Sequence, residues 1–265
     1  MENLARYVPS RATEHLSIGK LHKNEREENK MNRNKKFIVL DTETCNTVEE
    51  PIPYDIGWVV TDKYGHIYAE RSYVIFETFF GMKDVMQTAY YAEKIPKYFE
   101  DIRAGKREVK GMWEIRRQLK EDMRFFKTNR IGAYNMAFDK RALNNLIRYT
   151  SKSFKRWFFP YGTEYFDIWN CACDLIMANR NYIKFAIQNG LVSEKDNILT
   201  SAESVYRYIT KDRDFIESHT GLEDCKIETA ILAECYRQKK KMDLSINPCC
   251  WRKVQKKRKA LGLTA

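Results

Sequence analysis

Two carboxylates stand at the end of an apolar run in the first quarter of this sequence. Residues 37–40 read Phe-Ile-Val-Leu, and Asp41 and Glu43 follow with one residue between them. A run of this composition predicts a buried β-strand, and residues two apart on a strand point to the same face. Because an unpaired carboxylate is costly to bury, two of them aimed at one point predict a bound cation there. Hard divalent ions such as Mg²⁺ prefer oxygen ligands, so this pair first indicates metal chemistry.

A third acid lies in a predicted helix that follows a short apolar strand. In AYNMAFDKRAL, residues 133–143, a helix beginning near Ala137 places Asp139 on the same stripe as three large apolar residues. A carboxylate on the buried stripe points inward, towards the carboxyl end of the preceding strand. Taken alone, Asp139 is better explained as a first-turn aspartate that the helix dipole favours.

A histidine and a fourth acid occur together in SHTGLEDCKIETAIL, residues 218–232. Thr220 and Glu223 fit a capping box, which predicts a helix with Thr220 as its N-cap. His219 then lies immediately before the helix, and Asp224 lies in its first turn. The chain has four histidines, and His219 is the one close in sequence to a candidate acid.

The elements that must position these residues follow from apolar periodicity. The predicted strands are residues 37–40, 55–60, 66–75, 130–135 and 164–169, and the predicted helices are 84–104, 111–128, 137–150, 181–189, 201–210 and 221–240. This order predicts an α/β domain over residues 37–240, a mixed five-stranded sheet with helices on both faces. Sites in such sheets form at the carboxyl ends of strands, where Asp41 and Glu43 stand. Asp167 also ends a strand, and we interpret it as a cap of the next helix.

Positive charge is concentrated at the two ends of the chain. The net charge is +11, of which residues 1–36 carry +4 and residues 239–265 carry +8. We therefore predict a flexible N-terminal extension (1–36), in which Met31 is a candidate natural start, and a basic C-terminal tail (241–265). A basic tail attracts polyanions, nucleic acid foremost, although a solvated tail without a partner is the alternative.

Composition narrows the class of protein. The chain has 265 residues, of which 43% are hydrophobic, which predicts a globular fold. No apolar run approaches the roughly 18 residues of a membrane span, and the N-terminus lacks the apolar core of a secretory signal. We expect a soluble cytoplasmic protein with no membrane partner. Seven cysteines without CxxC spacing predict reduced thiols, not a zinc site.

Together these motifs resemble those of the DEDDh (DnaQ-like) 3′–5′ exonuclease family, which includes the proofreading epsilon subunit of bacterial DNA polymerase III and ribonuclease T. The matching positions are Asp41-Thr-Glu43, Asn135-x-x-Phe138-Asp139, and His219 followed five residues later by Asp224. A D-x-E triplet alone occurs by chance about once in such a length. Three motifs in the family's order are specific, and they cover roughly residues 37–240. Cys45 and Gly221 depart from the family's frequent Gly and Ala.

The resemblance implies a ribonuclease H-like fold and two divalent ions, Mg²⁺ or Mn²⁺. It implies that Asp41 bridges both ions, that Glu43 and Asp224 complete the site of the first, and that Asp139 holds the second. Two ions about 4 Å apart would balance these acids and stabilise the attacking and leaving oxygens of a phosphodiester. The predicted cation at the end of the first strand is thus explained.

The resemblance also assigns a base and a substrate site. His219 would be the general base, since its ordinary pKa near about 6.5 suits proton abstraction near neutrality. Thr44, Asn135 and Phe138 would border the terminal nucleotide. The implied reaction is metal-dependent hydrolysis from the 3′ end of single-stranded or 3′-ended nucleic acid, releasing nucleoside 5′-monophosphates.

The substrate and the biological role have several alternatives. DNA is the favoured substrate, with a role in replication or proofreading beside a DNA polymerase. Trimming of RNA or oligoribonucleotides is the alternative in the same family, and a non-catalytic module that binds nucleic acid or a polymerase is a third. Residues 154–169 hold eight aromatic side chains near Lys155 and Arg156. These rings either stack against bases of a single strand or, as we favour for most of them, fill the core.

Overall fold

The structure, a computed structural model, describes residues 35–152 and 156–263. The predicted N-terminal extension lies outside the described residues apart from its last two positions, and Met31 lies outside them as well. Residues 153–155, within the aromatic stretch, are also outside. From Lys36 onward the chain forms one compact unit.

A mixed sheet of six strands forms the centre, in the order β4-β3-β2-β1-β5-β6. The strands are β1 (Lys36–Cys45), β2 (Ile52–Asp62), β3 (Ile67–Ile75), β4 (Glu108–Lys110), β5 (Arg130–Ala133) and β6 (Glu164–Asp167). Strands β1 to β3 pair antiparallel, whereas β4 on β3, β5 on β1 and β6 on β5 pair parallel. The predicted mixed α/β sheet is confirmed, but the predicted count of five strands is wrong. Strand β4 was missed because its three residues, Glu-Val-Lys, are too few to display a period.

Helices cover the sheet. In the described residues they are α1 (Phe76–Phe79), α2 (Lys83–Met86), α3 (Ile95–Arg103), α4 (Met112–Phe125), α5 (Met136–Thr150), α6 (Ile168–Ala172), α7 (Arg180–Gln188), α8 (Ala202–Thr210), α9 (Gly221–Arg237) and α10 (Trp251–Ala260). The single helix predicted over residues 84–104 is instead α2, a 3₁₀ turn (Ala92–Lys94) and α3. Pro96, in the first turn of α3, favours a helix start at that point.

None of the helices in residues 35–152 and 156–263 has the length and apolar character that crossing a bilayer requires.

The alternation of side chains along β1 divides the core into two layers. Ile38 and Leu40 pack with α4 and α5 on one face, and Phe37 and Val39 pack with α9 on the other. Since residues two apart share a face, the side chains that follow the strand must also alternate. The end of β1 therefore presents groups to both layers, and helices cover both faces as predicted.

The C-terminal segment, predicted as a basic tail, contains a packed helix. Val254 of α10 is buried, and the Gln255 amide exchanges hydrogen bonds with the backbone of Ile198 at 3.1 and 2.9 Å. Arg258 is buried beside Asp196, 2.6 Å away. Lys253 is half-buried and donates to Asn170 at 3.0 Å, whereas Arg252, Lys256, Lys257 and Lys259 are exposed. The positive charge thus lies on an outer face of a helix whose inner face belongs to the core.

A close backbone contact joins β2 to the start of α9. A Cβ at Gly57 would overlap the backbone of Gly221 and Leu222. The Gly221 N–H donates to the buried carboxylate of Asp55 at 3.2 Å, which satisfies one of the N-terminal amides that every helix leaves unpaired. Arg107 in turn pairs with Asp55 at 3.3 Å. These contacts determine where α9 begins relative to the sheet.

We expect Gly57→Ala to lower the free energy of unfolding by about 3 kcal/mol, because the added methyl group meets backbone that cannot rotate away. Gly190→Ala is the matched control. A methyl group there meets nothing within 4 Å, and its positive φ of 67° costs about 1 kcal/mol. Urea unfolding of both variants measures the difference. Equal losses at the two positions would contradict the close contact.

Candidate active site

A cleft of about 550 Å³ opens at the carboxyl end of β1. It is lined by seven of the eight predicted site residues: Asp41, Glu43, Thr44, Asn135, Phe138, His219 and Asp224. The eighth, Asp139, is 2% exposed and lies behind Thr42, whose hydroxyl donates to its Oδ1 atom at 2.8 Å. The tertiary structure therefore brings residues from three distant segments of the chain to one place.

Strand β1 and helix α9 supply the centre of the cleft. Ligand-type atoms of Glu43, His219 and Asp224 all lie within 4.8 Å of one another. Asp41, two residues before Glu43, faces the same layer. The pairing of β1 with β2 shifts register between Glu43 and Thr44, immediately after the second acid. The spacing of the first motif is thus matched by the geometry of the strand end.

Asp139 approaches from the opposite layer of the core. It lies in the first turn of α5, on a stripe with the buried side chains of Leu143, Leu146 and Ile147, as its spacing predicted. The residue before α5, Asn135, has a left-handed backbone with φ of 74° and donates its N–H to Asp167 at 3.4 Å. That sharp turn brings the first turn of α5 up against the end of β1.

Two predicted helix caps have different outcomes. Asp167 accepts the Asn170 N–H at 3.2 Å and caps α6, so its interpretation as a structural residue is confirmed. Helix α9 follows Thr220 as predicted, but the Thr220 side chain makes no capping hydrogen bond. The amide at the start of this helix is bound by Asp55 of β2 instead. The capping-box prediction is therefore correct for the boundary and wrong for the hydrogen bond.

His219 is held by a segment that the sequence did not single out. The Tyr91 ring stacks on its imidazole with centroids 4.0 Å apart and planes inclined by 14°. Lys94 donates to the carbonyl oxygen of Ser218, the preceding residue. Glu217 Oε2 lies 3.9 Å from His219 Nδ1. With a φ of 51°, His219 has a backbone conformation that non-glycine residues rarely adopt, so these contacts hold a strained turn in place.

Burial and mutual repulsion raise the pKa values of the acids. Burial raises the pKa of Glu43 to about 9, with the Asp224 charge adding to it. It raises the pKa of Asp139 to about 7, against the opposing hydrogen bond from Thr42. The pKa of Asp41 is raised by burial and then by the charges of Asp139 and Glu228. Such a cluster of acids is stabilised when a cation replaces the lost water.

The pKa of the His219 imidazole is shifted in the opposite direction. Burial, followed by the nearby Lys94 ammonium, lowers the pKa of His219. The ring is therefore neutral around pH 7, the form that accepts a proton.

The donor set fits a hard divalent cation. Its atoms are carboxylate oxygens and one imidazole nitrogen, and oxygen donors favour ions such as Mg²⁺ or Mn²⁺. A second group with ligand spacing consists of Glu203, Glu217 and His219. Glu203 is already paired with Arg207 at 2.8 Å, so this group is better explained as an ion-pair network. The acids around Glu43 and Asp224 are those that could hold a metal.

Several cleft residues were not found by the sequence analysis, among them Tyr91, Glu217 and Glu228, and neither was Lys94, which contacts the turn before His219. Glu228 could have been predicted from the sequence, since it lies four residues after Asp224 in a predicted helix and hence on the same face. Tyr91 and Lys94 could not, because they lie within a segment predicted as one continuous helix and reach the turn at His219 through tertiary contacts.

The sequence matches no protein-family model and no curated protein sequence. Among solved structures, the chain is similar to a full-length 3′-exonuclease, at 11% identity and a TM-score of 0.50, over 80% of this chain and 85% of that one. E. coli exonuclease I in complex with a 5cy-dT13 oligonucleotide has 12% identity and a TM-score of 0.49, over 87% of this chain. The zinc-bound form of the E. coli exonuclease I complex with single-stranded DNA has 12% identity and a TM-score of 0.45, over 75% of this chain.

This chain spans 45% and 40% of the length of those two exonuclease I chains. The likeness to the full-length 3′-exonuclease concerns the fold, at an identity too low to carry substrate or partner from one protein to the other. The chain accordingly has an α/β fold that is also found in a 3′-exonuclease.

We expect the metal-free protein to lose stability as the pH rises from about 4 to about 9. In the folded state the pKa of Asp139 is about 7 and that of Glu43 is about 9, whereas in the unfolded chain both ionise near about 4, so between these pH values the folded state binds more protons. Urea unfolding in EDTA at several pH values measures the slope. Asp224→Asn should make the slope shallower, and Mn²⁺ should restore stability at high pH. A stability that is constant or rises over this range would contradict the clustering of acids.

Proposed function

We propose that this protein is a metal-dependent 3′–5′ exonuclease that releases nucleoside 5′-monophosphates. The observation that carries the proposal is the convergence of Glu43, Asp224 and His219 in one cleft, with Asp41 and Asp139 beside them. Four acids and a histidine in these positions are the set that the family resemblance implies. A binding module would not require an acidic cluster of this kind, since carboxylates without a metal repel phosphate.

The proposed roles of the acids are those that the family resemblance implies. Asp41 would contact both divalent ions, Glu43 and Asp224 would hold the first, and Asp139, which accepts a hydrogen bond from Thr42, would hold the second. When bound, such ions neutralise the phosphodiester charge and lower the pKa of a water molecule. The rigid end of β1 and the first turn of α9 hold these ligands without a mobile loop.

His219 is proposed as the general base that takes the proton of the attacking water. Its lowered pKa keeps the ring neutral, and its ring faces the same acids. Stacking on Tyr91 fixes the plane of the imidazole, and the bond from Lys94 to Ser218 fixes the turn that precedes it. The base is therefore positioned by Tyr91 and Lys94, which belong to a different segment of the chain.

The substrate is proposed to be a single strand of DNA that enters by its 3′ end. Thr44, Asn135 and Phe138 line the cleft and would border the terminal nucleotide. The exposed cations of α10 offer a surface for the phosphates further along the strand. Replication or proofreading beside a DNA polymerase is the proposed setting in the cytoplasm, with trimming of RNA as the alternative.

The aromatic stretch, residues 154–169, offers fewer rings for stacking on bases than its eight aromatic side chains suggest. Phe158, Phe159 and Phe166 are buried in the core, as favoured from the sequence. Among the described residues of this stretch, Trp157 and Tyr161 are the exposed rings, and exposed rings can stack on bases. We propose residues 37–240 as the catalytic domain, with residues 1–36 as an extension and 241–265 as a basic region packed on it.

We expect Asp41→Asn and Asp224→Asn to abolish release of mononucleotides from a 3′-labelled single strand in Mg²⁺ or Mn²⁺. Neither change should unfold the protein, since each relieves repulsion among buried acids. His219→Ala should lower kcat by about 10²- to 10⁴-fold while metal binding persists. EDTA should abolish the wild-type reaction.

The control is Asp84→Asn, the same change at an exposed position of α2, which should leave activity unchanged. DNA, mispaired duplex DNA and RNA are compared side by side. A wild-type protein that releases no mononucleotide from any of them would refute the proposed activity and favour the binding module.

We expect Tyr91→Leu to lower kcat by up to about 100-fold with little change in KM, because the imidazole loses the ring that fixes its plane. Tyr91→Phe keeps the stacking surface and should retain activity. Single-turnover rates of the two variants measure the effect. Equal rates for Leu and Phe at this position would show that the stacking does not position the base.

A further inference from the structure

Helix α9 brings one more carboxylate to the cleft than the proposed catalytic set uses. Glu228 lies four residues after Asp224, one helical turn further along the same face. It lines the cleft together with Asp41, Glu43 and Asp224. It is 2% exposed, so it is also one of the most deeply buried acids of the described chain.

Glu228 lacks a complete set of partners within the protein. Its Oε2 atom is buried and has no hydrogen-bond partner among the described residues. An unsatisfied buried polar atom costs about 1–3 kcal/mol, and a charged one costs more. Folded proteins keep such a group where something outside the chain completes it.

The nearby cations are engaged elsewhere. Lys94 donates to the carbonyl oxygen of Ser218. Arg207 pairs with Glu203 and donates to the carbonyl oxygen of Phe215 at 2.7 Å. Neither cation forms an ion pair with Glu228, so a bound cation would supply the counter-charge of the ionised carboxylate.

The surroundings of Glu228 are acidic. Asp41, Glu43 and Asp224 line the same cleft. The pKa of Glu228 is raised by burial and then by the charge of Asp139, and Glu228 in turn raises the pKa of Asp41. Glu228 therefore belongs to the cluster of acids around Asp41.

We propose that Glu228 is a fifth carboxylate ligand of the metal site in this cleft. This assignment rests on the proposed function only for the presence of a metal site in the cleft. Under it, helix α9 would supply a second carboxylate to the site, one turn beyond Asp224.

The experiment measures Mn²⁺ binding to the full-length protein by calorimetry, without nucleic acid. Glu228→Gln keeps the shape of the side chain and removes its charge. It should weaken Mn²⁺ affinity at least about tenfold. Glu234→Gln is the control, because Glu234 lies on the same helix and pairs with Arg237 at 2.7 Å outside the cleft. Wild-type Mn²⁺ affinity in Glu228→Gln would overturn the proposal.

The stability of Glu228→Gln towards urea distinguishes a metal ligand from an acid with a structural role. In EDTA, Glu228→Gln should unfold at the same or a higher urea concentration than the wild type, because it removes a charge from a repelling cluster. With Mn²⁺ it should gain less stability than the wild type does. A variant that is destabilised in EDTA and gains as much from Mn²⁺ as the wild type would assign Glu228 a structural role and overturn the proposal.

A direct measurement covers the case in which the variant does not fold. Crystals of the wild-type protein soaked in Mn²⁺ should show anomalous density about 2.1 Å from a Glu228 oxygen. Density confined to the other acids would overturn the proposal. A wild-type protein that binds Mn²⁺ through Glu228 but hydrolyses no nucleic acid would refute the proposed nuclease and leave this metal ligand standing.

Discussion

Repulsion among buried carboxyl groups is the constraint on which the rest of this structure depends. Asp41, Glu43, Asp224 and Glu228 line one cleft with Asp139 directly behind it, and burial removes the water that would screen them. Raised pKa values throughout the cluster record this cost. A chain that keeps such a group must gain something from its ligand, and a divalent cation is the ligand that relieves both repulsion and desolvation.

The fold resists that repulsion with rigid elements drawn from both core layers. Strand β1 is paired on both sides, by β2 and β5, so its end has little freedom to move. The start of α9 is fixed by the backbone contact at Gly57 and by the hydrogen bond to Asp55. Helix α5 is brought close by the left-handed turn at Asn135. The acids therefore stay together because the elements that carry them are packed independently of the acids themselves.

Around this centre the protein separates charge of opposite sign. The acids are buried at the end of β1, whereas the exposed cations of α10 lie on the outer face of a helix whose inner face packs in the core. Such a division suits a polyanionic chain, since phosphates can be attracted at the surface while the cleft takes only one that a metal can neutralise. The proposed single-stranded substrate is consistent with both features.

The sequence alone determined what local chemistry and periodicity can determine. It predicted the strand that ends at the first two acids, the helix that carries Asp139 on its buried stripe, and the start of the helix that carries Asp224. The tertiary structure decided which distant groups meet. Strand β4, the packed α10, and the contacts of Tyr91 and Lys94 with the turn at His219 leave no periodic signal, because each depends on neighbours remote in sequence. Glu228 lies between these cases, since helical spacing placed it on the right face but only packing buried it without a partner.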